Sequence, residues 1–267
     1  MHSDSFFFKG KSHDVCEDYA THGSTYLNNK QVCYAIVSDG CSSSKDTDIG
    51  ARVLTKAAEE NLHLINYDVA FGDAVINKAS EVVDFAGWNP YCLDATLLVA
   101  TSEEDKTQIQ VIGDGVVCLL NNDCIVVHDI TYPSGAPRYL TYWSNNDRAI
   151  AYKNAYSNLR IVDTYYIFKD RTIKETTESE HPVWSIKVSN DTCQTIILTS
   201  DGVHSFQELF LSQGKTFSHI DLFNVLKEIY GFKNTNGEFV KRRIKRFAKT
   251  TSWENTDDLA VAAICVK

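Results

Sequence analysis

The sequence predicts an α+β fold, two packed antiparallel β-sheets with α-helices on their outer faces. Three observations carry this. Strand-like runs come in groups rather than alternating one by one with helices, as a parallel sheet would require. Two amphipathic helical segments follow one another directly between residues 48 and 86. A meander of four short apolar runs, separated by turn signals, then occupies 95–128.

The elements follow in order. Phe6-Phe7-Phe8-Lys9-Gly10 reads as a first strand closed by a glycine turn. Residues 11–20 are densely polar, and Asn28-Asn29 is a hairpin tip leading into a strand at 32–38. That strand is apolar, rich in β-branched residues, and stops at Asp39-Gly40. Asp46-Thr47-Asp48 supplies helix-capping side chains, and Ile49, Val53, Leu54, Ala57, Ala58 and Leu62 recur at helical spacing, predicting a helix over 48–65. A second helix over 68–86 ends at Gly87-Trp88-Asn89-Pro90. The meander strands are expected at 95–101, 108–112, 116–120 and 124–128.

Residues 130–182 form a variable region of weak pattern. Pro133, Gly135 and Pro137 make a loop, 139–143 reads as a short strand, and 154–168 shows no clear period. Strand character returns over 172–188, broken at His181-Pro182. The run 194–199 repeats the buried-strand pattern and ends in Ser200-Asp201-Gly202. Helices are expected over 205–211, 219–230 and 237–250. The last has Val240, Ile244, Phe247 and Ala248 on one face and Lys241, Arg242, Lys245, Arg246 and Lys249 on much of the rest, which reads as a solvated basic face. Asp257-Asp258 opens a closing strand over 259–266. With no repeat, low-complexity tract or linker in sight, one domain over 1–267 is expected.

Composition narrows the partners. Apolar residues are 43% and charged residues 23%, the balance of a water-soluble core-forming chain. A net charge of −9 argues against nucleic acid or an anionic membrane as partner. Eight cysteines without a C-x-x-C pair, several inside strand-like runs, read as free thiols of a reducing compartment. Without a signal-peptide pattern or an apolar run long enough to span a bilayer, a cytoplasmic monomer is the expectation.

The chemistry lies in carboxylates at strand ends. A sheet holds such a group rigidly while leaving it open to solvent, and an adjacent glycine lets other groups approach. The series is Glu17-Asp18, Asp39-Gly40, Asp94-Ala95-Thr96, Gly113-Asp114, Ser200-Asp201-Gly202 and Asp257-Asp258. Asp39 alone would be a turn or capping residue. If the strands before Asp39 and Asp201 run one way and the strand after Asp257 runs the other, the three carboxylates meet at one edge. Crowded carboxylates repel unless cations neutralise them, and an all-oxygen donor set selects hard cations such as Mg²⁺ or Mn²⁺.

Here the chain resembles the metal-dependent protein phosphatase 2C-like family, in the order and rough spacing of its motifs across nearly the whole sequence. The clearest matches are Val37-Ser38-Asp39-Gly40, Ile112-Gly113-Asp114, Leu198-Thr199-Ser200-Asp201-Gly202 and Asp257-Asp258-Leu259-Ala260-Val261. The resemblance implies a four-layer αββα sandwich and a dinuclear Mg²⁺ or Mn²⁺ centre. By it, Asp39 bridges two ions, the Gly40 carbonyl joins one, and Asp201 and Asp257 ligate the second. Glu17 and Asp18 hold waters of the ions, and Asp114 serves a further, weaker ion. Two such ions activate a water and steady the phosphoryl oxygens during in-line displacement. The implied reaction is hydrolysis of phosphoserine or phosphothreonine in a phosphorylated protein.

Three departures accompany the likeness. His13 stands where many members carry a phosphate-gripping arginine, a trait that resembles a bacterial-type subfamily, and is expected to bind the substrate phosphate more weakly. Cys41 follows Asp39-Gly40 where several members have a histidine, and Ser205 stands where a further aspartate is common. Two other readings follow: a non-catalytic binding module of the same fold, and a phosphatase of a small phosphorylated molecule.

Overall fold

Val32 to Val37 is an unbroken apolar run, and in the computed structural model it lies in a central strand buried on both faces. The structure describes residues 1–210 and 216–266. The strands of the first half are β1 (His2–Phe8), β2 (Tyr19–Leu27), β3 (Lys30–Ser38), β4 (Leu97–Ser102), β5 (Lys106–Ile112), β6 (Gly115–Asn121) and β7 (Ile125–Thr131). Those of the second half are β8 (Arg160–Ile167), β9 (Thr172–Ser179), β10 (Trp184–Ser189), β11 (Cys193–Thr199), β12 (Phe206–Phe210), β13 (Thr216–His219), β14 (Trp253–Asn255) and β15 (Leu259–Cys265). The helices are α1 (Thr47–Glu60), α2 (Asp68–Ala86), α3 (Thr141–Ser144), α4 (Asn146–Ala155), α5 (Leu222–Tyr230) and α6 (Phe239–Thr250).

Two antiparallel sheets dominate. One has the order β1-β15-β11-β6-β7-β8-β9, the other β10-β5-β4-β3-β2. Strand alternation divides their side chains between three cores. Ala35 and Val37 of β3 face inward with Leu98, Ile109, Val117, Ile196 and Ala262, filling the space between the sheets. Ile36 points the other way, against Leu54, Phe71 and Val75 of α1 and α2. On the far side, Ile197, Val261 and Ala263 pack against Val225 and Ile229 of α5 and Val240, Ile244 and Phe247 of α6. The layers are therefore α, β, β, α, as the resemblance implied. Truncating fully buried Ile36 to alanine would cost about 2–5 kcal/mol. No helix among the described residues is long and apolar enough to cross a membrane.

Several expectations are corrected. The helix expected over 48–65 ends at Glu60, and Leu62–Leu64 continues as a single 3₁₀ turn. Residues 139–143, aromatic enough to suggest a strand, instead enter α3, and α4 follows at once. Their tyrosines stack along helical turns, Tyr142 on Tyr152 at 4.7 Å. The patternless stretch contains β8, whose inward residues are diluted by polar ones. The helix expected over 205–211 is β12 over its described part, held between β13 and β14; Leu211 lies outside the described residues. The helix expected from 219 begins at Leu222, capped by the Asp221 side chain, and β13 precedes it.

Candidate metal centre

Antiparallel pairing gathers the carboxylates. In the large sheet β11 lies between β15 and β6 and runs opposite to both, with Thr199 facing Val261 and Val116. The end of β11, at Asp201, therefore meets the beginnings of β6 and β15, at Asp114 and Asp257-Asp258. The smaller sheet repeats the device. Ser38 at the end of β3 pairs with Tyr19 at the start of β2, just after Glu17-Asp18, and Val37 pairs with Leu98 near the start of β4. The expected reversal of the third strand relative to the second is present.

The glycines allow backbone segments to meet. A Cβ on Gly202 would stand 1.6 Å from the Asp258 carbonyl oxygen, and one on Gly10 would stand 2.2 Å from the Asp257 carbonyl carbon. A Cβ on Gly40 would press on the Glu17 carbonyl at 2.8 Å. Gly113 and Gly115 adopt φ of 92° and 133°, which L side chains rarely take, turning the chain sharply around Asp114.

Hydrogen bonds then fix the loops. The Asp39 amide donates to Thr96 Oγ1 (3.1 Å), and the Thr96 amide donates to the Asp39 carbonyl (2.8 Å). Thr47 at the start of α1 donates to Glu17 Oε1 at 3.0 Å. Buried Asp258 accepts from the amides of Gly10 (2.7 Å) and Glu17 (2.6 Å). The Ser205 hydroxyl donates to the Gly202 carbonyl at 2.8 Å and accepts from the Asp257 amide at 3.1 Å.

A cleft of about 320 Å³ opens at this edge, and Asp39, Gly40, Asp114, Asp201, Asp257 and His13 all line it. Asp18 is buried behind them. Cys41 is on the wall too, its sulfur 3.0 Å from Ser43 Oγ. Tyr139, Tyr142 and Tyr156 of the variable region close the opposite side.

The electrostatics are those of a site short of positive charge. Burial pushes the Asp39 carboxyl well above its ordinary value, and the charges of Asp18 and Asp201 push it further. Asp114 moves the same way, through burial and then Asp201. Burial raises Asp18 to about 7, against hydrogen bonding from Ser200 and Asp39. Burial also leads the upward shifts of Asp257 and Glu17. Asp18 Oδ2 is buried with no hydrogen-bond partner, an unmet acceptor that a cation or its water would satisfy. All-oxygen donors, mutual repulsion and an orphaned carboxylate oxygen together fit a hard divalent cation.

His13 lines the cleft beside the carboxylates of Asp257 and Asp258. Nδ1 lies 3.0 Å from Asp258 Oδ2 and Nε2 lies 3.2 Å from Asp257 Oδ1. Burial opposes protonation, but Asp258 and then Asp257 outweigh it and raise the imidazole above its ordinary value. Nδ1 is hydrogen-bonded to Asp258, and Nε2 faces the half-exposed Asp257 across an ion pair at the cleft wall. Glu17, His13 and Asp258 also bring ligand atoms together, but Asp258 already accepts two amides and the imidazole. Within the trio Asp258 is thus spent on support, while the Glu17 carboxylate accepts only from Thr47 among the described residues.

Sequence reasoning missed two contributors. Asp258 was read only as part of a cluster; its place one residue before a buried strand was the available signal. Asp94, seen as one motif among several, is buried and bonded to Arg148 of α4, whose partner no local pattern announces.

A family model described as protein phosphatase 2C matches residues 10–247. The match stops short of Asp257 and Asp258, which the fold itself brings to the cleft. No curated protein matches the sequence. Among solved structures, a bacterial serine phosphatase is similar with a TM-score of 0.56 at 14% identity, over 100% of this chain and 98% of that one. The serine/threonine phosphatase Stp1 from Staphylococcus aureus aligns with a TM-score of 0.54 at 12% identity, over 100% and 96%. The phosphatase domain of SpoIIE from Bacillus subtilis, with a fragment of its regulatory domain, aligns with a TM-score of 0.51 at 12% identity, over 99% and 62%. At such identities the structures share the fold.

Proposed function

The chain belongs to the protein phosphatase 2C family of phosphatases, and we propose that it hydrolyses phosphoserine or phosphothreonine in proteins at a dinuclear Mg²⁺ or Mn²⁺ centre. The observation that carries this reading is the convergence of Asp39, Asp114, Asp201 and Asp257 on one cleft, with Asp18 buried behind it.

Asp39 and the Gly40 carbonyl would hold one ion, with Asp39 shared by the second, which Asp201 and Asp257 would complete. Glu17 and Asp18 would act through waters. Bound there, the cations would supply Lewis acidity to ionise a water near neutral pH and to neutralise phosphoryl oxygens. The chain supplies position. Thr96 fixes the backbone at Asp39, Ser205 fixes the turn from Asp201 to Asp257, and His13 clamps Asp257 to Asp258. The Ser205 hydroxyl is spent on the Gly202 carbonyl and the Asp257 amide, so it would serve the turn rather than a further ion. His13, anchored on Asp258 through Nδ1, would hold Asp257 through its Nε2 side and face an entering phosphate from the cleft wall. The single apolar interior shared by the two sheets supports one catalytic domain.

The test is phosphate release from p-nitrophenyl phosphate and from a phosphothreonine peptide, with Mn²⁺, with Mg²⁺ and with EDTA. Release from both that needs metal, and is abolished by Asp39→Ala with Asp201→Ala, is expected. A folded protein that releases no phosphate under any metal is a binding module instead. Release from p-nitrophenyl phosphate alone would point to a small phosphorylated substrate.

A further inference from the structure

Six of the twelve residues of α6 are Lys or Arg and none is acidic, in a chain with 26 basic against 35 acidic residues. Its apolar side, Phe239, Val240, Ile244 and Phe247, is buried against the large sheet, so the cations project outward. They do not form a flat solvated face. Arg242, Arg243 and Arg246 of α6 and Lys233 of the preceding loop surround a cleft of about 280 Å³ whose apolar wall is Phe232 and Phe239. These two rings pack edge to face at 4.9 Å.

The cleft is built before any ligand arrives. Arg242 Nη2 donates to the Asn236 carbonyl at 2.6 Å, and Arg243 Nη2 donates to Glu228 Oε2 at 2.9 Å. Arg243 Nε also donates to the Glu228 carbonyl. Two guanidinium forks are thereby held in place with part of their donor capacity unused. The Arg246 guanidinium and the Lys233 ammonium have no hydrogen-bond or ion-pair partner among the described residues. Glu238 also acts on Arg242 but is ion-paired with Lys241. Among the residues bonded to or lining the cleft, four cations therefore face the one carboxylate of Glu228 and leave a formal charge of three, more than one ligand carboxylate would balance. A phosphate monoester dianion matches the charge, the forked donors and the apolar wall better.

We infer that this cleft is a second anion site, which holds another phosphoserine or phosphothreonine of a multiply phosphorylated protein substrate. The inference rests on the phosphatase reading for its substrate, not for its charge. The catalytic edge carries crowded carboxylates and the chain is acidic overall, so a phosphorylated segment is repelled until something cationic receives it. The spacing follows from the fold. The Val240 amide at the start of α6 donates to Asp4 Oδ2, and Asp4 pairs with Ala263, six residues along from Asp257. At ~3.3 Å per strand residue this sets the start of α6, at one end of the cleft, on the order of 20 Å from the catalytic edge. An extended peptide then needs six or more residues between its two phosphates.

The test uses the whole chain with Mn²⁺ and two peptides of one sequence, one singly phosphorylated, the other with a second phosphoserine eight residues away. The doubly phosphorylated peptide should show a kcat/KM about tenfold higher, through KM. Arg242→Gln with Arg246→Gln should remove that advantage and leave turnover of p-nitrophenyl phosphate unchanged. Equal initial turnover of both peptides by the native chain would overturn the inference. A second measurement is independent of catalysis: with EDTA present, inorganic phosphate should shift the arginine Nε–H resonances of Arg242 and Arg246. No shift would overturn the site even in an active phosphatase. A shift in a chain that hydrolyses nothing would uphold the anion site and overturn the catalytic reading. A short single-stranded RNA that displaces phosphate there while the doubly phosphorylated peptide does not would overturn the substrate assignment.

Discussion

The Arg148 guanidinium lies in a fork against the Asp94 carboxylate, donating to Oδ1 at 2.9 Å and to Oδ2 at 2.8 Å. Asp94 is buried and also accepts from Thr141 Oγ1 (2.7 Å) and Ser44 Oγ (2.9 Å). Its carbonyl receives the Cys41 amide at 2.8 Å, one residue beyond the proposed ligand Gly40. Arg148 is further held over the rings of Tyr91 and Tyr142, at 4.5 and 4.9 Å. One carboxylate thus joins the ligand loop at 39–44, the entry to β4, and the helices that wall the cleft.

Arg148→Ala should therefore disturb the substrate more than the chemistry. The remaining donors to Asp94 are two hydroxyls, and losing the fork should cost about 1–3 kcal/mol of stability. In turnover, KM for a phosphothreonine peptide should rise while kcat for p-nitrophenyl phosphate, which needs no wall, stays within about twofold. Arg148→Lys keeps the charge but not the fork and should rescue poorly. Equal losses on both substrates would reduce the pair to a general stability element.

Asp39→Asn should have two opposite effects. Without metal, burial and the charges of Asp18 and Asp201 oppose ionisation of Asp39, so an amide that cannot ionise should raise the melting temperature of the EDTA-treated protein increasingly as pH rises. With metal, the native chain should be stabilised by about 2.7 kcal/mol at one hundred times the dissociation constant, and the variant should lose that response. Thermal melts with and without Mn²⁺ read both. A variant that still gains stability from Mn²⁺ would remove Asp39 from the ligand set.

Gly202→Ala tests why aspartate and glycine travel together here. The new methyl would overlap the Asp258 carbonyl, backbone that cannot swing aside. Destabilisation above 2 kcal/mol is expected, together with weakened Mn²⁺ binding as the Asp201 and Asp257 loops part. Gly87→Ala is the control. Its φ is 68° but nothing lies within 4 Å of the added carbon, so only about 1 kcal/mol of backbone strain should appear. Chemical denaturation of both variants separates close approach from conformation.

The strands that build this edge were legible because burial on both faces leaves an unbroken apolar signature, as in Val32 to Val37 and Ile196 to Leu198. Their aspartates stood out because a charge directly after such a run has few structural excuses. Residues 139–156 were illegible for the opposite reason. Their order comes from tyrosine stacking and from Arg148 reaching a carboxylate 54 positions away, and neither leaves a period in the sequence. The family resemblance gives His13 a phosphate to bind, and no local pattern gives it a carboxylate. Only the fold reveals that Asp258, distant in sequence, claims one of its nitrogens.

His128 gives the last prediction, away from the metal edge. It is buried on β7, its Nδ1 3.0 Å from Thr164 Oγ1, its ring 4.9 Å from Trp184, and its Nε2 without a hydrogen-bond partner. Burial lowers its pKa to about 4. The unfolded chain protonates this histidine near 6.5 and the folded chain resists until about 4. Its contribution is therefore intact above pH 6.5 and is lost as pH falls between those values. At pH 5 the loss should be about 2 kcal/mol. His128→Gln stays neutral and can keep the bond to Thr164. Denaturation at pH 7 and pH 5, both chains in EDTA so that the carboxylate cleft cancels, should show a smaller acid loss in the variant by about that amount. An equal loss in both would mean that His128 accepts its proton in the folded state and that the strands around it open to admit water.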